Sequence, residues 1–346
     1  MIRTMLRFAG LSYLLVIVVL GCQMFGQLPQ GFETPLPQDS IEDTPAPLET
    51  DRPQFPSTSQ PGPSGVKTPQ PSAAQPEGGK PCDKGVCVKE GRFLLKRPIG
   101  PNGRNTIVYT DRFGSYQRKT RQALNGVYFL NSSGTPVLAA ADGEVVFAGN
   151  DQEVPQGPLL DLYGNLVIIQ HDLPGVERPL YTLYAHLSEI AVETGENVEA
   201  GQEIGKVGMS GGGAVGSILY FEVRLGENNY QAARNPELWL EPLPDESGQP
   251  QGALAGRVLD AKGKFLEITN IVLERLAGPG LPAIDQIYTR TYTDGRMQGL
   301  GPWKENFAVG DLPAGEYQIS IWLDGMKQRI VKVQPGKLTT VTWTIK

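Results

Sequence analysis

From Val88 onward the chain consists of short runs of β-branched and aromatic residues closed by Gly, Asn or Asp, and helical periodicity is sustained only over Asn235–Leu240. With almost no stretch carrying an apolar stripe at 3.6-residue spacing, the pattern is that of an all-β fold. A first block of strands reads as Val137–Ala148, with a hairpin signal at Asp142-Gly143, followed by Leu166–Gln170, Tyr181–Leu187, Glu203–Val207 and Leu219–Leu225. A Pro-rich, acidic break at Glu241–Gly252 places a boundary near residue 247. Beyond it, GRVLD, IVLERL, YTRTYT, NFAVGDL, YQISIWL, QRIVKV and TTVTWTI follow at short spacing, the texture of a β-sandwich.

The N-terminal region has a different character. Arg3 and Arg7 precede an apolar run, Leu11–Leu20, too short for a confident membrane span and typical of an export signal. It closes as Val19-Leu20-Gly21-Cys22, which resembles the bacterial lipobox, in which the cysteine thiol receives a lipid; an ordinary cleaved signal and an uncleaved anchor are the alternatives. Residues 27–81 then hold 13 of the 29 prolines among many Ser, Thr, Gln and Gly. Such a segment cannot bury enough apolar surface to offset its ordering entropy, so it is expected to be a disordered spacer. Cys82 and Cys87 follow directly, and in an exported chain they are expected to form a small disulfide staple. Metal binding by this pair has no second cysteine or histidine pair to complete it.

The formal charge of −6 and pI near 5.2 lack the basic field that phosphate backbones select, so nucleic acid is an unsuitable partner. The whole chain has only two histidines, His171 and His186. A hydrolytic zinc site takes three protein ligands and commonly a histidine base as well, more than two imidazoles can supply.

The strings GTPVLAAADGEVVFAG (134–149), YGNLVIIQH (163–171), LYAHLSEIAVETGENVEAGQEIGKVGMSG (183–211) and ILYFEVRLG (218–226), in that order, resemble the lysostaphin or LytM-type zinc peptidases of bacterial walls. The resemblance implies a mostly antiparallel sheet with a groove, which in active members holds zinc through two histidines and an aspartate and cuts peptidoglycan cross-bridges. Where the family has H-x-G-x-D, this chain has Leu124-Asn125-Gly126-Val127-Tyr128; where the family has H-x-H before Phe-Glu-Val, it has Ile218-Leu219-Tyr220. Only His186 of the family's functional histidines remains. The family route, in which the metal lowers the pKa of a water and polarises the scissile carbonyl, then has no support. His171 with Asp161, Asp172 and Glu222 shows no ligand spacing; His171 reads as a turn histidine and Ser210 as part of a glycine-rich rim loop.

The expectation is therefore an all-β chain: 1–22 a lipoprotein signal peptide with lipobox, 23–81 a linker, 82–247 a degenerate LytM-type antiparallel sheet domain, and 248–346 a β-sandwich. The last segment resembles carboxypeptidase-regulatory or prealbumin-like modules. Leu124, Tyr128, His186, Ile218 and Tyr220 would form an apolar and aromatic groove floor without zinc or any other cofactor, with no catalytic residue. Filling of the core after loss of function accounts for these residues as well as ligand binding does. The resemblance implies a non-catalytic envelope lipoprotein, anchored to the membrane through Cys22, that binds peptidoglycan or regulates a wall amidase or other hydrolase. The alternatives are a zinc endopeptidase with a shifted ligand set and a surface adhesin acting through the sandwich.

Overall fold

The computed structural model describes residues 82, 84–116 and 122–345; the export segment, Cys22 and the spacer lie outside the described residues. Among the described residues the elements are β-strands and three single 3-10 turns. In chain order the strands are β1 Val86–Glu90, β2 Gly126–Leu130, β3 Pro136–Leu138, β4 Gly143–Asn150, β5 Asn165–His171, β6 Leu180–Ala185, β7 Leu187–Ile190, β8 Asn197–Val198, β9 Glu203–Val207, β10 Ile218–Leu225 and β11 Ala233–Arg234. The C-terminal part continues with β12 Gly252–Leu259, β13 Ile271–Leu276, β14 Ala283–Thr289, β15 Phe307–Leu312, β16 Gly315–Trp322, β17 Met326–Val333 and β18 Lys337–Thr344.

The first block is a seven-stranded sheet in the order β11-β10-β6-β5-β4-β8, with β2 also on β10, and a small sheet β3-β9-β7 beside it. All the pairings in this block are antiparallel. Alternation along the strands sorts side chains onto two faces. Val127, Phe129, Val167, Ile169, Leu180, Tyr184, Leu219, Phe221, Val223 and Leu225 enter the large core. Leu166, Ile168, Leu183, Ala185 and Tyr220 form a second cluster on the opposite face. Gly126 is obligatory at the β2–β10 crossing, since a Cβ there would stand 2.3 Å from the Phe221 carbonyl oxygen.

The C-terminal part is a sandwich of the sheets β1-β18-β12-β15 and β14-β13-β16-β17 around an apolar core of its own. Its β12 and β18 run parallel. The first sheet borrows a strand from before the first block: β1 pairs with β18 from Val86↔Val341 to Glu90↔Lys337. Cys82 and Cys87, at the entry to β1, are disulfide-bonded with Cα atoms 4.7 Å apart. The large core continues across the junction, taking in Trp239 and Leu240 together with Ala253, Ala255, Ala308 and Leu338.

Three local expectations are corrected. Asp142-Gly143 is not a hairpin turn, because β3 pairs with β9 while β4 pairs with β5 and β8. The glycine is needed where β4 crosses β5, a Cβ there standing 2.2 Å from the Gln170 carbonyl oxygen, and Asp142 accepts the Ala200 amide at 2.7 Å. The YTRTYT strand lies earlier, at β14; Tyr292 leaves the sheet and is buried against Phe113 and Asn235 of the first block. The periodic stretch at Asn235–Leu240 yields only a 3-10 turn, Pro236–Leu238, capped by the Asn235 side chain on the Glu237 amide.

Candidate functional site

The even-numbered face of β10 carries the site. Tyr220 lies opposite Tyr128 of β2 with ring centroids 5.1 Å apart, and Tyr163 stacks on Tyr220 at 5.7 Å. The His186 ring lies 5.9 Å from Tyr220. Leu124, 1% exposed, belongs to the apolar cluster beneath these rings. Ile218 is buried two positions along the same side of β10, opposite Leu130, and is not part of that cluster. Of the five residues expected at the floor, Leu124, Tyr128, His186 and Tyr220 are thus brought together and Ile218 stands at the margin. Bounded by these rings and by Tyr230 is a cavity of about 10 Å³, room for one water at most.

Beneath the rings lies a polar network that the sequence reading missed. The hydroxyls of Tyr163 and Tyr220 both donate to Glu222 Oε1, at 2.6 and 2.9 Å. Arg224 Nε donates to Glu222 Oε2 at 2.8 Å, and the guanidinium also reaches the Gln156 carbonyl and Asn228. Glu222 and Arg224 are fully buried, which is tolerable because both carboxylate oxygens and all three guanidinium nitrogens find partners. Burial, and then the Glu222 charge, push both the Tyr163 and Tyr220 hydroxyls well above the usual phenol range, so both are held as protonated donors. The available signal was the i, i+2 pair Glu222 and Arg224, two opposite charges on the same side of a strand.

His186 adopts a left-handed conformation, φ 64°, and is 2% exposed. Its amide donates to the Tyr163 carbonyl at 2.9 Å, and its Nδ1 lies 2.9 Å from the Ser210 carbonyl. A carbonyl only accepts, so Nδ1 carries the proton and Nε2 keeps the lone pair. Burial lowers the His186 pKa, outweighing these hydrogen bonds, and favours the neutral ring. His171 sits apart, not in a turn but at the buried end of β5, with Nδ1 2.8 Å from the Asp142 carbonyl and Nε2 2.7 Å from the Thr182 hydroxyl. Ser210 Oγ accepts the Asn165 amide and donates to the Leu187 carbonyl, both at 2.9 Å, which uses the hydroxyl structurally.

Zinc is the metal that the family resemblance implies. Its protein donors are imidazole, thiolate and carboxylate. Around His186 stand protonated phenols, and the nearby carboxylate of Glu222 is already committed to two hydroxyls and a guanidinium. This donor set does not fit zinc. Among the described residues no group of three or more His, Cys, Asp or Glu side chains is placed to hold a metal ion.

Residues 122–233 of this chain match the model of Peptidase family M23. The chain is 39% identical over 105 residues to the cell division protein DipM of Caulobacter vibrioides, covering 30% of this chain and 15% of that protein. It is 37% identical over 189 residues to the DD-carboxypeptidase/endopeptidase Mpg of Neisseria meningitidis serogroup B, covering 53% and 39%. To the murein hydrolase activator NlpD of Escherichia coli it is 35% identical over 99 residues, covering 29% and 22%. The chain therefore spans well under half the length of these relatives.

Proposed function

We propose that this chain is a non-catalytic envelope lipoprotein, anchored through a lipid on Cys22, whose M23 groove binds peptidoglycan or regulates a wall hydrolase. The observation that carries this is the groove floor itself. Where the active-family pattern calls for ligands, Tyr128 and Tyr220 lie ring to ring, and the Tyr220 hydroxyl is tied down by Glu222. A floor so filled cannot polarise a scissile carbonyl, while the half-buried rings of Tyr128 and Tyr230 offer aromatic edges on which a peptide or glycan stem can rest. The names of the relatives span both an endopeptidase and a hydrolase activator, and this site supports the latter role.

Two measurements test the proposal. Purified full-length chain is expected to sediment with isolated peptidoglycan and to carry less than about one tenth of an equivalent of zinc by elemental analysis, because one neutral imidazole among phenols is a far weaker site than three converging ligands. Stoichiometric zinc that is lost on changing His186→Ala would favour the peptidase with a shifted ligand set. Cys22→Ala is expected to move the chain from the membrane fraction to the soluble one; retention in the membrane would replace the lipid anchor with an uncleaved segment.

A further inference from the structure

Strand β14 is an open edge of its sheet. It pairs with β13 alone, and no isolated bridge among the described residues involves it. Beside that edge lies a cleft of about 690 Å³, within the range of ligand sites, whose far wall is the loop 106–115 of the first block. Residues 286–290 all line it. Successive side chains of a strand point to opposite faces, so five in a row border one space only where that space runs along the edge itself. The strand carries little that would repel an added neighbour. Ile284 and Tyr288 are exposed, Asp285 is its sole charge, and it holds neither lysine nor proline.

Such an edge names its own ligand by the chemistry of its backbone. The Gln286 amide is taken by the Asp285 carboxylate at 2.7 Å, which marks Gln286 as a residue whose backbone groups face away from β13. By alternation the amide and carbonyl of Tyr288 face the cleft as well. Outward amides and carbonyls in a row are satisfied by another extended backbone. Of the charges lining the cleft, Asp311 pairs with Arg97 and Arg112 with Glu237, which leaves Arg290 without an ion pair among the described residues. The cleft therefore suits an extended peptide that is acidic.

We infer that the β14 edge docks residues 38–44 of the chain's own spacer as an added strand. Strand addition needs an N–H at every second position, which proline lacks. The longest proline-free run of the spacer is residues 38–44, QDSIEDT, framed by Pro37 and Pro45; no other run within residues 27–81 exceeds five. It matches the seven residues of β14 in length and brings three acids, Asp39, Glu42 and Asp43, to Arg290. The 37 residues between it and Cys82 can span up to about 115 Å, and such a tether holds the run near the edge at an effective concentration of about millimolar. Docking leaves 15 residues instead of 59 between Cys22 and the folded part, so the edge sets how far the first block stands from the membrane. That consequence rests on the lipid anchor proposed above; the docking does not.

The test is hydrogen exchange on the full chain, wild type against Ile41→Pro, which removes an N–H at the centre of the run without touching the folded part. Amides of β14 are expected to exchange at least about tenfold faster in the variant. The Ile41→Pro chain is then titrated with a synthetic peptide of residues 37–45 and with the same peptide carrying that proline. Only the first is expected to bind, and adding Arg290→Glu to the chain is expected to weaken it at least about fivefold at low salt. Equal exchange in the two chains, equal binding of the two peptides, or unchanged affinity in the Arg290 variant would overturn the assignment. Protection of β14 that persists in Ile41→Pro and grows with chain concentration would give the edge to a second copy instead. Neither measurement involves the lipid, so the docking stands or falls apart from the anchor at Cys22.

Discussion

The two faces of β10 are a controlled comparison within one strand. Its odd-numbered residues, Leu219, Phe221, Val223 and Leu225, enter the large apolar core, where Phe221 meets Phe129 and Tyr184 edge-on. Its even-numbered residues Tyr220, Glu222 and Arg224 are equally buried and form a hydrogen-bonded, charged network. An apolar face draws its stability from area and packing and tolerates exchange of one hydrocarbon shape for another. On the polar face the cost of a change depends on what it leaves unpaired, and it is greatest where a buried charge loses its partner.

The largest expected effect breaks the polar face. Glu222→Ala strands the Arg224 guanidinium and is expected to destabilise the chain by about 3–5 kcal/mol in urea unfolding. Changing both residues to Met is expected to recover much of that loss; a double variant as unstable as the single one would show that the charges are not coupled. Next comes the apolar face, where Leu219→Ala is expected to cost about 3 kcal/mol while Leu219→Met costs less than about 1.5 kcal/mol. Similar losses for both would mean that the core at Leu219 is shape-specific and the contrast between faces too simple. Tyr220→Phe removes one of the two phenol donors to Glu222 Oε1 and keeps the ring, so about 1 kcal/mol is expected, without loss of fold.

The smallest effect lies in alkaline solution. Tyr163 and Tyr220 have pKa values raised on folding, so the folded state holds their protons more tightly than the unfolded one. The stability linked to them is fully present below the unfolded phenol value near 10 and is lost as pH rises above it. The double variant Tyr163→Phe/Tyr220→Phe, less stable at neutral pH, is expected to lose less additional stability above about pH 10 than wild type. An identical slope of unfolding free energy against pH would assign alkaline sensitivity to other tyrosines.

What the sequence disclosed follows from the same contrast. The odd face of β10 and the FEVR phrase anchored the domain, and Gly126 set the register of β2, because alternation and a sterically required glycine are local signals. The polar network was hidden because alternation along β10 does not name the partners of Glu222 and Arg224; the Tyr163 loop that covers them arrives from 59 residues away in sequence. The failed hairpin at Asp142-Gly143 has a similar origin. A turn dipeptide reports only that the chain bends or passes close to another strand, and here the partner strands were β9 and β5. The sandwich was legible as a class of fold, but its eighth strand, β1, lies 247 residues from Lys337, its partner at Glu90, and nothing in the local pattern of VCVKE names β18.

That borrowed strand determines where mechanical tension enters the molecule. A pull on the chain at residue 82 does not run through the intervening turn, because the 4.7 Å span between Cys82 and Cys87 is far shorter than the contour of the five peptide units between them. Tension is handed across the sulfur bridge to Cys87, one residue inside the edge strand β1 and opposite Thr340, and from there into the ladder with β18. Reduction moves the point of entry to the free end at Val86, so that the strand peels from its terminus residue by residue. Single-molecule pulling from residue 82, with and without reductant, should therefore show a lower rupture force in the reduced chain.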